Sequence, residues 1–336
     1  DPNAFAKQVR RECGGFPEGD LLPYTLTACA YVQVGLADPN RRDDAAKRVE
    51  QLLALARPGV LAQLKTGPRG LAGITDYQRN ATHLGQYNLA LGGYRLLGGK
   101  DQRLIDEHKA ISDALHKAIF AADGAPLESY PDLTWTFDTI PCLLSLRVYD
   151  RVAGGQGNAL VARHLAWLAK NATDAATGLP SSQVDPKTFK PSAPPRGCDI
   201  SWRLAMMADL DAPAGRKLYA SYVRSFWLER QILAGFAEWP GGGQARQDMD
   251  SGPVIMGIGS AATTFGMAAA SGGDEVRRAR LVRQASTALV LLKRLIAMAP
   301  DSANVSPSSV VTTGDLPSGC TRRSSGGASM VLASRW

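Results

Sequence analysis

Long apolar runs are the first thing this chain lacks. No stretch of 18 or more apolar residues occurs among its 336, so no membrane-spanning helix is predicted. Cysteine and histidine are sparse as well. Cys13, Cys29, Cys142, Cys198 and Cys320 form no CxxC pair, and His83, His108, His116 and His164 are too dispersed to share a metal, so neither a zinc site nor a cofactor is expected. There is no GxSxG, and Ser129 has no identifiable histidine partner, which removes a hydrolase triad. No GK[ST] follows the glycines of 252–259, which removes a phosphate loop. The net charge is +7, yet Lys and Arg are scattered, without the basic stripe that a nucleic-acid partner needs.

What is present is helical. A hydrophobic content of 45% is enough for a sizeable core. Residues 1–20 are polar and rich in Gly and Pro, and read as an N-terminal arm. Residues 22–36 read as a buried helix stopped by Ala37-Asp38-Pro39-Asn40, and 42–56 as its amphipathic partner, with Val49, Leu52, Leu53 and Leu55 inward. An apolar helix followed by an amphipathic one recurs over 84–97 and 104–120, and over 138–152 and 159–171. Further pairs are 200–208 with 214–234 and 252–270 with 274–297, and a last helix is expected near 327. About eleven helices in hairpins, hardly any strand and no fixed-period repeat predict an all-α fold. Its closed form is an (α/α)6 barrel, a toroid of helical hairpins spanning 21–336 as one domain, with the site built by loops at one end of the inner helices.

Two stretches carry the candidate chemistry. In 127–151, Asp138 opens an apolar helix directly after Tyr130, Trp135 and Phe137; a plain N-cap explains the acid, and a pocket wall explains the acid together with the aromatics. In 247–264, alternate spacing sends Asp248 and Asp250 to one side of an extended segment, where crowding raises one pKa and makes a general acid, while capping by Asp250 or Ser251 with Pro253 near the first turn explains the same letters. Arg196-Gly197-Cys198-Asp199 and Trp202 end a loop stiffened by Pro186, Pro191, Pro194 and Pro195, so Arg196, Asp199 and Trp202 are candidate substrate contacts. Trp239 precedes a glycine-rich rim loop, and Arg196 or Arg246 is suited to an anionic group on the substrate. His108, His116 and His164 fall in outer helices and are expected at the surface, whereas His83 is a candidate for the cavity. Cys13, Cys198 and Cys320 fall in loops, and a Cys13–Cys320 disulfide would suit an exported protein. The chain starts at Asp1 without an initiator methionine, which suits a periplasmic or secreted protein after signal removal, or a trimmed chain.

Several of these stretches resemble the linalool dehydratase-isomerase family of (α/α)6-barrel proteins: 24–40 (YTLTACAYVQVGLADPN), 85–98 (GQYNLALGGYRLLG), 127–151 ending in LSLRVYDR, 185–210 and the 248–252 turn. They cover about half the chain in the same order. The resemblance implies a cofactor-free site of two cysteines, a histidine, acids and tyrosines around an apolar pocket. Here the first cysteine falls on Ser129, the second on Asp138 and the histidine on Gln86, while a tyrosine is kept as Tyr24. The N-terminal segment that brings an acid in the family has no clear match. What remains is the same cavity with carboxylates and amides in place of thiols and imidazole.

Three functions follow as expectations. The first is an exported glycoside hydrolase acting on a glycan, with Asp138 and Asp248 or Asp250 as acid and base and Tyr130, Trp135 and Trp202 stacking on sugar rings. The second, implied by the resemblance, is a hydro-lyase or isomerase of a small alcohol with Asp138 as acid. The third is a glycan-binding protein without catalysis, in which the acids serve only as caps. An open polar groove favours the first, and a closed apolar pocket of modest volume the second.

Overall fold

A computed structural model describes residues 2–298 except 17, 155–157, 232, 244 and 245, with backbone only for 158 and 287–298. The helix expected near 327, Cys320 and its pairing with Cys13 lie outside the described residues. Among those residues there are eleven α-helices: α1 (Pro2–Cys13), α2 (Leu22–Ala37), α3 (Arg42–Ala62), α4 (Ala81–Leu96), α5 (Gln102–Ala121), α6 (Thr139–Ala153), α7 (Asn158–Asn171), α8 (Gly197–Leu210), α9 (Ala212–Phe226), α10 (Ser260–Ala270) and α11 (Glu275–Met298). Strands are two or three residues long. β1 (Thr134–Trp135), β2 (Gln183–Val184) and β3 (Pro191–Ala193) form an antiparallel sheet; β4 (Trp227–Glu229) pairs β5 (Ala234–Phe236), and β6 (Val254–Ile255) pairs β7 (Ile258–Gly259). The fold is mostly helical, and no helix among the described residues is long and apolar enough to cross a membrane.

Helices α2, α4, α6, α8 and α10 pack in succession, and α3, α5, α7, α9 and α11 back them one for one. The division follows composition. Every residue of α4 from Ala81 to Tyr94 is buried, whereas α5 buries one face and exposes the other. Close approach of α4 to α6 is permitted by Gly85 and Gly92, two turns apart. A methyl on Gly85 would lie 2.7 Å from Cys142 Sγ, and one on Gly92 2.6 Å from Val148 Cγ1. The buried Asn88 amide then ties three helices, donating to Ser112 Oγ and Ser145 Oγ at 3.0 Å each.

Four expectations need correction. Residues 1–20 are not a free arm: α1 buries Ala6 and Val9 and packs on α3. The helix expected over 214–234 ends at Phe226, where the chain turns into the β4–β5 hairpin and Phe236 stacks on Tyr222 at 4.5 Å. Only 260–270 of 252–270 is helical, because the β-branched Val254, Ile255 and Ile258 pair across a turn whose Met256 and Gly257 take φ of 54° and 84°. His108 and His164 are fully buried, since their helices turn a polar residue toward an internal partner: His108 Nδ1 accepts from Arg95 at 3.2 Å, and His164 Nδ1 donates to the Gly124 carbonyl at 2.9 Å.

Candidate active site

All five inner helices contribute to one cavity of about 240 Å³. Leu22 and Leu26 come from α2, Thr82 and Gln86 from successive turns of α4, Asp138 from the start of α6, Asp199 and Trp202 from α8, and Phe265 from α10. Loops complete it, with Phe16 and Glu18 from the N-terminal segment and Met249 and Asp250 from the segment before β6. A larger groove of about 530 Å³ lies between α9 and the α10–α11 turn, but its one carboxylate, Asp274, is already engaged by Arg277 at 2.7 Å and by the Tyr219 hydroxyl at 3.1 Å. The smaller cavity is where unengaged polar groups meet.

Asp138 is the N-cap residue of α6, yet its side chain caps nothing. Instead Oδ2 accepts a hydrogen bond from Thr82 Oγ1 at 2.7 Å, with the residue 3% exposed. Burial raises its pKa to about 7; the Thr82 and Ser129 hydroxyls favour the charged form, and the charges of Glu18 and Asp199 oppose it. A helix N-terminus favours a carboxylate by about 0.3–2 kcal/mol. Three pH units of desolvation amount to about 4 kcal/mol, so burial wins and the acid holds a proton near neutrality.

Three further carboxylates surround it. Asp199 is 3% exposed and raised by burial; Cys198 Sγ donates to Oδ1 at 3.3 Å, while Oδ2 has no partner. Ser182 lies near enough to favour the charged form, although its hydroxyl makes no hydrogen bond. Glu18 accepts from the Tyr130 hydroxyl, and burial together with that bond pushes the Tyr130 pKa well above its ordinary value. Asp250 keeps an exposed surface at the mouth, but desolvation and the charges of Asp248, Glu18 and Asp199 raise it to about 6. Crowding of Asp250 beside Asp248 thus occurs as the spacing suggests, with burial the larger cause.

Asp138, Asp250, Gln86, Tyr130, Trp135, Asp199 and Trp202 therefore meet as expected. Six other expected contacts do not reach the cavity. Tyr24 is buried edge-on against Phe5 of α1 at 5.8 Å. Ser129 is not in the lining; its hydroxyl accepts from the Trp135 N–H at 2.9 Å and supports Asp138 from behind. Arg196 is buried between the Trp135 and Trp239 rings and bonded to Glu238 at 2.9 Å and Asp248 at 2.8 Å, so it anchors the 246–259 segment instead of an anionic ligand. Asp248 is held low: burial works to raise it, but the Ser251 N–H, Arg196 and the Asp250 N–H prevail. Trp239 donates Nε1 to the Arg246 carbonyl at 2.9 Å, and the Arg246 residue is exposed. Nor does His83 line the cavity; it is buried behind the Tyr130 ring at 5.8 Å, and desolvation lowers it to about 4.

Among the lining residues that sequence reasoning missed are Glu18, Phe16, Thr82, Leu22, Leu26, Met249 and Phe265. Thr82 has a legible signal, four residues before Gln86 on one helical face. Cys198 also lines the cavity, from the first turn of α8 and not from a loop; burial and the adjoining Asp199 and Glu238 push its thiol well up, so it is a hydrogen-bond donor and no nucleophile. The site as a whole is an acid-rich, aromatic-walled pocket in a mostly helical protein. No protein-family model matches the chain, and no curated protein matches it.

Proposed function

We propose that this chain is a cofactor-independent hydro-lyase or isomerase of a small, largely apolar alcohol, with Asp138 as general acid and Asp250 as general base. The observation that carries the reading is a buried carboxyl group, raised to about 7 and so partly protonated at neutrality, in the wall of a small cavity whose apolar lining is Leu22, Leu26, Phe16, Phe137, Trp202 and Phe265. A protonated Asp138 delivers its proton to the substrate hydroxyl, the C–O bond breaks and water leaves. Asp250 takes a proton from the adjoining carbon as the double bond forms, and solvent exchange returns both carboxyls to their starting states. Positive charge developing on carbon is met by the faces of Tyr130, Trp202 and Phe265 and by the Glu18 carboxylate. The pKa order suits the roles, about 7 for the acid and about 6 for the base.

The resemblance to linalool dehydratase-isomerases supports the same reading, with the even-numbered helices as the inner ring of an (α/α)6 barrel. Glycoside cleavage is the second reading, favoured by one observation: Asp138 and Asp250 share a mouth with Trp135. At about 240 Å³ the cavity is below the usual range for ligand pockets of roughly 300–1,000 Å³ and leaves little room for a chain of sugars. The test is to incubate the protein with a panel of small tertiary and allylic alcohols in deuterated water, and to follow alkene formation and deuterium uptake. Turnover by the wild type and its loss in Asp138→Asn are expected. Equal rates for the two proteins, or release of sugar from glycosides at a far higher rate, would remove the hydro-lyase reading.

A further inference from the structure

The cavity contains more unmet hydrogen-bonding capacity than one reacting hydroxyl uses. Gln86 is 1% exposed on α4, lines the cavity, and its Oε1 has no partner. Asp199, 3% exposed on α8, presents Oδ2 in the same condition, and Trp202 one turn further along presents an unpartnered Nε1–H. Two of these atoms accept and one only donates. A buried polar atom left without a partner costs the full desolvation of that atom. A ligand that satisfies this set must both donate and accept, which a hydroxyl does and an ammonium or a carboxylate does not.

Charge narrows the class further. Glu18, Asp138, Asp199 and Asp250 line the cavity, and among the described residues no Lys or Arg does. Arg196 is held by Glu238 and Asp248, and Arg203, outside the lining, is fully buried beside the charges of Asp199 and Asp138, with Nη2 donating to Thr136 Oγ1 at 2.9 Å and Nε and Nη1 without a partner. An anionic ligand would enter a field of four carboxylates with no Lys or Arg among the described lining residues. The suggestion from sequence of an anionic substrate held by Arg196 or Arg246 therefore fails on geometry.

We infer that the ligand of this pocket is an uncharged diol on an apolar frame, its second hydroxyl held by Gln86, Asp199 and Trp202 while the first faces Asp138. The inference rests on the hydro-lyase reading only for the role of that first hydroxyl. Gln86 is then a specificity-determining residue and Trp202 a ligand donor.

The test is binding, read by quenching of tryptophan fluorescence, with cyclohexanol, the cyclohexane-1,2-, 1,3- and 1,4-diols and cyclohexanecarboxylate as probes at neutral pH. At least one diol is expected to bind about tenfold or more tightly than cyclohexanol, and the carboxylate to show no saturable binding. The diol advantage should fall to about twofold in Gln86→Leu, and Trp202→Phe, which keeps the ring and removes only the N–H, should weaken it independently if the first variant misfolds. Equal affinity for cyclohexanol and every diol, tight binding of the carboxylate, or no binding of any diol would overturn the inference. Diol selectivity without Asp138-dependent turnover would instead sink the hydro-lyase reading and leave this one standing.

Discussion

Replacing Asp138 by Asn should stabilise the protein in alkaline solution and leave its stability unchanged in acid. In the unfolded chain this carboxyl ionises near its ordinary value of 3.8; in the fold, desolvation raises it to about 7. Between those two values the folded protein binds a proton that the unfolded chain has released, so stability falls as pH rises across that window. Each pH unit is worth about 1.4 kcal/mol, so the penalty reaches about 4 kcal/mol above pH 7 and vanishes below about pH 4. Asn escapes it and can still accept the Thr82 hydroxyl through Oδ1. The assay is urea unfolding of both proteins at unit steps of pH from about 4 to 8. Asp199, Asp250 and Glu238 titrate in both and largely cancel in the difference. The variant should gain on the wild type steadily up to about pH 7 and then hold level; a difference that stays flat, or an Asn variant less stable at pH 8, would refute the claim that burial dominates this carboxyl.

Catalysis should show a narrow bell-shaped pH dependence, rising as Asp250 ionises near 6 and falling as Asp138 loses its proton near 7, and Asp250→Asn should abolish the acid limb. Asp138→Asn should reduce turnover by about 10²–10⁴-fold, the usual worth of a general acid, in single-turnover kinetics. Arg196→Met should destabilise by about 3–5 kcal/mol in urea unfolding, because Glu238, with a fully buried side chain, loses its cation. Gly85→Ala should cost about 1–3 kcal/mol in the same experiment, since its methyl meets both Cys142 Sγ and the Cys142 backbone nitrogen at 3.1 Å.

How much of this was legible in the sequence follows from the range over which each signal acts. Inner helices announce themselves locally: α4 and α6 are apolar almost all round, and that composition has no stable place except between other helices. Asp138 was legible for the same reason, as an acid at the junction of an aromatic run and such a helix. Glu18 was not. Its segment, with Gly14, Gly15 and Gly19, has no period, and its partner Tyr130 comes from a loop between α5 and α6. Arg196 misled in the opposite direction. A basic residue ending a proline-stiffened loop suits a ligand contact, but its ligands are Glu238 and Asp248, brought together only once β5 and β7 are laid beside α8. The small-residue run at 252–262 read as helix because helix and hairpin differ there by the turn at Met256 and Gly257, and β-propensity reports packing against neighbours that a sequence does not display.

The energetics of the pocket bear on why such a site persists. A domain of ordinary stability has about 5–15 kcal/mol in total, so a buried carboxyl costing up to about 4 kcal/mol at neutral pH consumes a large fraction of it. Around it stand Gln86 Oε1, Asp199 Oδ2 and Trp202 Nε1, each buried and unpartnered, each adding a desolvation cost of about 1–3 kcal/mol that an apolar residue of similar shape would avoid. Several groups in the surrounding shell are better matched: Glu238 has Arg196 and the Cys198 N–H, Asp248 has Arg196 and two backbone N–H groups, and the Asn88 amide nitrogen has two serines. Those three groups one layer out have hydrogen-bond partners, whereas Gln86 Oε1, Asp199 Oδ2 and Trp202 Nε1 do not. A ligand that gives those three atoms partners removes the cost, so binding of such a molecule should raise the unfolding temperature in proportion to its concentration over its Kd.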